Sequence, residues 1–442
     1  MLADKITLQD IGLFDTDASE GLISYLNFCK TNGGKEQLDQ YLAQPLNSIE
    51  AIEKRQNAIA IFMEELHFMH EMKITNGTTL VIEKFFGTVF KSIPTQISIP
   101  GAYWYQFVNA SDYALIKYSI EHLLLFYENL NHWIGVFETK KEQPIIATLL
   151  QKIKKLTQHP SLSQLNTQSI LAHPQKLLSI AYFFRNHYKN NTLQLLAYFY
   201  DLDAYYSMAT AAKKYNFVFP TWINSETPVL DVTAAIHPLV PHPIDNNLVL
   251  SHQTNLFFLT GANMAGKSTF IKTIGIVIYL AHVGIGAPAK KVNLSLFDGL
   301  ITNLTTADNV VKGESYFFNE VQRIKNTIVK IIDGKKYFVL IDELFKGTNI
   351  QDAMKCSTAV IEGLQNLRNS LFIISTHLYE ISEGLKKYDN IQFSYFETEV
   401  REKELVFHYQ LKQGVSQDRL GYLILEREGV VALLNNITKA KY

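Results

Sequence analysis

The sequence predicts a multi-domain α and α/β chain: a helical region over residues 1–222, then an α/β region over residues 223–442 built on a largely parallel sheet. Three observations carry this prediction. Apolar residues recur at three- and four-residue spacing through the first half, the period of a helix buried on one face. At about Phe217 the texture changes to the extended, Pro- and Asn-rich stretches PTWINSETPVLDV and HPLVPHPIDNN. Beyond them lie three short apolar runs, Leu256–Leu259, Phe338–Ile341 and Leu371–Ile374, each ending in polar residues and separated by helix-period sequence. That is the pattern of parallel strands buried on both faces.

In the first half the clearest helices are predicted over Tyr113 to Phe137, Pro174 to Tyr188 and Thr192 to Tyr215. Pro94, Pro100, Pro144, Pro160, Pro174 and Pro220 fall between such segments, where helices are interrupted. The aromatic residues Tyr182, Phe183, Phe184, Tyr198, Phe199, Tyr200, Tyr205 and Tyr206 admit two readings, a base-stacking surface or helix packing. Their helical spacing and the scarcity of interleaved basic residues favour packing.

Composition narrows the classes further. The 442 residues are 47% hydrophobic, enough for more than one buried core. Only 19% are charged, which excludes a highly charged disordered chain, and 22 glycines with 12 prolines exclude a collagen-like one. Lys plus Arg number 41 against 42 Asp plus Glu, a net charge of −1. No overall field draws such a chain to nucleic acid, so any DNA contact must come from local patches or from the geometry of an oligomer. Two cysteines, Cys29 and Cys356, make neither a disulfide scaffold nor a zinc site and fit a reducing, cytoplasmic setting. MLADKITLQDIG has no secretory pattern. The longest apolar stretch, Ile274 to Ala287, contains His282 and is shorter than the roughly 20 residues a membrane helix needs, so no membrane partner is expected.

Each apolar run ends in residues with chemical potential. The first leads into Gly261, Ala262, Asn263, Met264, Ala265, Gly266, Lys267, Ser268 and Thr269, a G-x-x-x-x-G-K-S phosphate loop. Its glycines let backbone N–H groups face a polyphosphate. Lys267 would reach the β- and γ-phosphates of ATP, and Ser268 would hold Mg²⁺. A helical pattern follows, so a positive helix N-terminus would face the same phosphates. The second run ends in Asp342 and Glu343, where Asp342 would hold Mg²⁺ through water and Glu343 would deprotonate the attacking water. The third ends in Ser375, Thr376 and His377, with His377 a candidate γ-phosphate sensor. Between the first two lies Asp308 to Phe317, whose small-residue turn around Gly313 and Ser315 precedes a helical stretch. An ordinary helix start is the plain alternative. ATPases of the ABC type place such a turn over the partner subunit's nucleotide, so Gly313 and Ser315 are expected to act in trans in a dimer.

Together these segments resemble the MutS family of DNA mismatch repair ATPases. TGANMAGKSTFIKTIG is similar to the family's Walker A segment, including the Asn-Met pair, IDELFKGTN to its Walker B and following loop, and STHLYEIS to its strand-end histidine segment. GAPAKKV followed by ADNVVKGESYFFNEV resembles the approach to its signature. FHYQLKQGVSQDRLGYLI resembles the segment whose histidine lies near adenine, which implies that role for His408. GLISYLNFCKTNGGKEQLDQYLAQPLNSIEAIEKRQNAI and YDLDAYYSMATAAKKYNFVFPTW resemble the two ends of the family's helical core, with Asp203 and Pro220 in place.

The resemblance implies a MutS-like core and lever over 1–222, an ABC-type P-loop ATPase domain over 223–442, ATP and Mg²⁺ as ligands, and a homodimer joined through the ATPase domains. It further implies contact with double-stranded DNA, non-specific or structure-specific, with recognition or repair supplied by a separate protein. The family's mismatch-reading and connector domains would precede Met1. The sequence departs from the family pattern at Tyr316, where Thr is usual, at Lys312, at Phe345 and Lys346, where Gly and Arg are usual, and at Pro243, near where an aromatic often stacks on adenine. Two other functions stay open: a DNA-independent ATP-driven clamp or assembly factor, and an ATP-binding structural partner with weak hydrolysis.

Overall fold

The computed structural model describes residues 1–14, 20–90, 93–94, 97–162, 166–304, 316–401, 404–416, 426, 429–431 and 433–434. Contacts divide the chain into two units. One is formed by Met1–Tyr25, Pro45–Ile52 and Tyr215–Tyr442, the other by Leu26–Gln44 and Glu53–Lys214.

The second unit is helical. Its longer helices include Ala110–Phe137, Pro144–Thr157, Pro174–Asn186 and Lys189–Lys214, and shorter ones include Asn32–Ala43, Leu66–Glu71, Asn76–Gly87 and Ile99–Val108. Local sequence sets the helix starts. The side chains of Thr31, Thr75, Ser98 and Gln143 accept from backbone N–H groups of the first turn. Pro100, Pro144 and Pro174 occupy first-turn positions, where a missing N–H costs nothing. The aromatic residues pack helix on helix: Phe126 lies against Phe199 and Tyr127 against Phe184, with ring centroids 5.8 and 5.4 Å apart. Phe184, Phe199, Tyr205 and Tyr206 are all buried.

One buried acid ties distant segments of this unit. The Asp203 carboxylate accepts from the backbone N–H of Lys30 (2.9 Å), the N–H of Thr31 (2.9 Å) and the Thr31 hydroxyl (2.7 Å). The next helix passes so close that a Cβ on Gly34 would sit 2.1 Å from Asp203, which is why Asn-Gly-Gly stands there. Lys30 Nζ in turn donates to the carbonyls of Met69, His70 and Met72, capping the end of Leu66–Glu71.

Among the described residues the first unit holds ten strands: β1 (Thr221–Ile223), β2 (Val229–Ala235), β3 (Asn246–Ser251), β4 (Leu256–Gly261), β5 (Lys291–Ser295), β6 (Gly299–Asn303), β7 (Tyr337–Ile341), β8 (Ser370–Ser375), β9 (Ile391–Arg401) and β10 (Glu404–Gln413). They form a four-stranded sheet ordered β1-β5-β2-β3 and a six-stranded sheet ordered β10-β9-β4-β8-β7-β6. In the larger sheet every pairing from β9 to β6 is parallel and only β10 runs antiparallel. The three apolar runs are β4, β7 and β8, with every residue of β7 and β8 buried. Helices Lys267–Val283, Tyr316–Ile331 and Ile350–Leu364 connect the strands. The apolar stretch from Ile274 lies in the first of these and is buried. Among the described residues no helix is long and apolar enough to cross a membrane.

The opening segment of the chain joins this unit. Leu2 bridges Gly299 in parallel beside β6, and the Asp10 carboxylate accepts from the Thr302 hydroxyl (2.7 Å) and the Leu304 N–H (3.0 Å).

Candidate functional site

Ligands of parallel sheets bind at the carboxyl ends of the strands, and here β4, β7 and β8 end side by side. β8 lies between β4 and β7, so the loop after β4 and the acids after β7 stand one strand apart. β4 ends at Gly261 with φ +136°, and a Cβ there would meet the Phe396 carbonyl at 3.1 Å. The loop closes at Gly266, φ +105°, which caps the helix Lys267–Val283. Both are conformations that favour glycine.

A cavity of about 580 Å³ opens over this loop. Asn263, Met264, Gly266, Lys267, Ser268 and Thr269 line one end, Glu343 reaches in from β7, and Pro243, Ile244, Phe396 and Tyr409 form an apolar side. Ala265 is buried within the loop. Lys267 is only 5% exposed, and its ammonium donates to the Gly261 and Ala262 carbonyls at 2.8 and 3.0 Å. Burial pulls its pKa below the ordinary lysine value, and the carboxylates of Glu343 and Asp342 act against that. A buried cation hydrogen-bonded to loop carbonyls at the N-terminus of a helix fits a polyphosphate. The donor set also fits Mg²⁺: the Ser268 hydroxyl opens the helix, and across β8 the Asp342 carboxylate is fixed by a hydrogen bond from the Ser375 hydroxyl.

The acids are set by local backbone. The Asp342 N–H donates to the Asn303 carbonyl (3.1 Å) and the Glu343 N–H to the Ser375 hydroxyl (3.1 Å). Glu343 has φ +55° and Phe345 φ +56°. His242, Met264 and Tyr409, which line the cavity with Glu343, also have positive φ. Such backbone strain concentrates at functional sites. Phe345, where the family usually has glycine, thus holds a glycine-like conformation, and its side chain is buried edge-on against Phe317, ring centroids 5.7 Å apart. Lys346 Nζ lies 3.1 Å from the Glu343 carboxylate.

Two residues outside the sequence reading belong to this region. Glu320, on the helix Tyr316–Ile331, is buried, and its carboxylate accepts from the N–H groups of Lys346 (3.4 Å) and Gly347 (3.2 Å), holding the loop that follows Glu343. Burial raises its pKa, and those hydrogen bonds act in the opposite direction. Glu320 and Glu343 also share a second, water-sized cavity with Asp342. The other residue is Tyr409. The pairing of β9 with β10 shifts register between Phe407 and Leu411, and Asn246 fixes the bulge by donating to the Tyr409 carbonyl (3.1 Å) and accepting from the Leu411 N–H (2.8 Å). Tyr409 therefore lines the cavity, its ring beside Gly266. His408, the expected adenine neighbour, does not line it and instead pairs with Glu399 at 3.2 Å. Pro243 does line it.

His377 lies just past β8, exposed and outside the cavity lining. Gly313 and Ser315 fall outside the described residues, as does Lys312. Tyr316 opens the helix that carries Glu320. Among the described residues no cluster of three or more His, Cys, Asp or Glu side chains could hold a metal, so a cation here would depend on a hydroxyl, a single carboxylate and the substrate itself.

The sheet, the glycine-capped loop and the paired acids define an α/β protein with a phosphate-type cavity at the carboxyl edge of its strands. Comparison with known proteins narrows the class. Residues 257–438 match the model of MutS domain V. The chain is similar to the DNA mismatch repair protein MutS of Petrotoga mobilis, at 22% identity over 97% of this chain and 63% of that protein. It is 30% identical to the same-named protein of Bacillus pumilus and 29% identical to that of Bacillus subtilis, each over 52% of this chain and 27% of the relative. The chain is thus similar to MutS proteins, most clearly over their domain V, and its matches span under two thirds of the length of these relatives.

Proposed function

We propose that this protein binds ATP with Mg²⁺ in the cavity above Gly261–Ser268, hydrolyses it as an ABC-type dimer, and couples turnover to movement of its helical region on double-stranded DNA. The observation that supports this most is the meeting of buried Lys267 and Glu343 in one cavity. On binding, Lys267 exchanges the Gly261 and Ala262 carbonyls for phosphate oxygens, and the loop amides and helix N-terminus face the same charge. Ser268 and Asp342 would hold Mg²⁺, which neutralises charge developing on the transferred phosphoryl group. Glu343 accepts the proton of the attacking water, for which its carboxylate must leave Lys346. Pro243, Ile244 and Tyr409 supply the apolar wall a nucleobase needs. Gly313 and Ser315 would complete the site from the partner subunit.

DNA enters through the relatives' names and through lysine groups on the helical unit. Several of those lysines already have acidic partners. Lys140 lies 2.9 Å from Glu64, Lys141 lies 3.6 Å from Glu138, and Lys154 also pairs with Glu138. With the net charge of −1, this favours a second reading, an ATP-driven clamp or assembly factor that does not need DNA. One experiment separates them: phosphate release with and without homoduplex, mismatched and branched DNA, with binding measured at two salt concentrations. Phosphate-driven contact predicts equal affinity for matched and mismatched duplexes, falling steeply with salt. A preference for mismatched DNA of about tenfold or more that survives higher salt would reveal base readout. Absence of binding at either salt would select the clamp.

A further inference from the structure

The helical unit carries an apolar surface that its own core does not use. On the helix Ile99–Val108, Ala102 and Tyr105 face inward, while Ile99, Tyr103, Trp104, Phe107 and Val108 face solvent. Leu115 and Tyr118 continue the exposed surface on the next helix, Ala110–Phe137. Tyr103, Trp104, Phe107 and Tyr118 are 54%, 68%, 81% and 52% exposed. At about 200 Å² for a whole aromatic side chain, these four leave roughly 500 Å² of aromatic surface in water. Ile99, Val108 and Leu115 enlarge it toward the roughly 800 Å² per partner of a standard protein interface. The largest apolar patch of an ordinary monomer is about 300–600 Å².

We propose that this surface is an interface between two copies of the chain, formed without nucleotide and separate from the ATPase site. Composition argues for a protein partner, since interface cores are rich in Trp, Tyr and Phe and poor in charge. No Asp, Glu, Lys or Arg lies between Lys91 and Asp112. A helix lying on lipid would instead carry a strongly charged polar face rich in Lys and Arg. Symmetry argues for a second copy. A two-fold interface sets a patch against itself, which an uncharged patch tolerates without like-charge repulsion.

The test uses the full chain without nucleotide. Sedimentation from about 1 to 100 μM is expected to show a monomer–dimer equilibrium in this micromolar range, the lower-affinity end for interfaces of this size. Trp104 emission is expected to shift to the blue and lose acrylamide quenching as the dimer forms. Trp133 is buried from the outset, and replacing Trp222 by Phe isolates the Trp104 signal. Phe107→Asp should weaken the dimer by about 100-fold or more, as loss of a central aromatic anchor does. Because Phe107 is exposed, its thermal melt should stay at the wild-type value, which checks folding. A monomer at every concentration, a dimer indifferent to Phe107→Asp, or a dimer in which Trp104 stays exposed would each overturn the proposal.

Discussion

Replacing Glu343 by Gln isolates the proton-accepting step. The substitution keeps size and hydrogen-bonding capacity, and the Glu343 N–H to Ser375 hydroxyl bond that sets the backbone involves no carboxylate atom. What the fold loses is the pair with Lys346, whose side chains are 42% and 25% exposed, so its worth is at most about 1 kcal/mol. What catalysis loses is a base, which costs roughly 10²-fold or more in turnover, about 2.7 kcal/mol of barrier at the low end. The two effects are far enough apart to measure. Phosphate release should fall at least about 100-fold, fluorescent ATP analogues should bind with near-wild-type affinity, and the melting temperature should move by no more than about 4 °C. ATP should then accumulate unhydrolysed and hold a dimer visible by gel filtration. Turnover within threefold of wild type would refute the role of Glu343. Normal binding with no ATP-dependent dimer would refute the composite site.

Two further outcomes follow from buried polar groups. Glu320→Ala should lower turnover by roughly tenfold through loss of the loop that carries Glu343, with ATP affinity little changed, and Glu320→Gln, which keeps one acceptor oxygen, should recover most of it; unchanged turnover in the Ala variant would remove Glu320 from the mechanism. His237 and His282 are held neutral by burial, with pKa values lowered to about 4 and about 3. The His282 ring accepts the Phe297 N–H at Nε2 and donates from Nδ1 to the Ile278 carbonyl, a tautomer that protonation would break. Depressed histidine pKa values mean the unfolded chain binds more protons in acid, so this stability is complete above about pH 6.5 and lost as pH falls toward 4 and below. Histidine NMR should show the His237 and His282 rings neutral at pH 5, with the melting temperature dropping from pH 7 to 5; protonation of these two rings near pH 6.5 would contradict this.

The sequence is most legible where one physical rule acts alone. β4, β7 and β8 are buried on both faces, so they read as unbroken apolar runs, and the helix prolines mark starts because only the first turn tolerates them. β9 and β10 carry mixed polarity and leave no comparable trace. The opening residues read as more helical sequence, because the bridge of Leu2 with Gly299 depends on a partner far along the chain. Tyr409, which lines the cavity, stands one position after His408, the histidine the resemblance places near adenine. A bulge at positive φ reverses which neighbour faces inward, and alternation alone cannot locate a bulge. Glu320 looks like an ordinary helix-surface acid until the loop after Glu343 folds onto it. Phe345 shows the converse: as a departure from the family pattern it suggests a weakened site, yet its burial against Phe317 accommodates the strained backbone glycine would otherwise relieve.

The central claim is that the cavity above Gly261–Ser268 hydrolyses ATP, and it rests on Lys267, whose buried ammonium donates to the Gly261 and Ala262 carbonyls. The most direct measurement is steady-state phosphate release from MgATP by the wild-type chain and Lys267→Ala, assayed side by side. The account predicts saturable release by the wild type and its loss, together with most nucleotide affinity, in the variant, since phosphate charge is then left uncompensated in a partly dry site. Equal release by the two proteins, or none by the wild type above buffer, would contradict it.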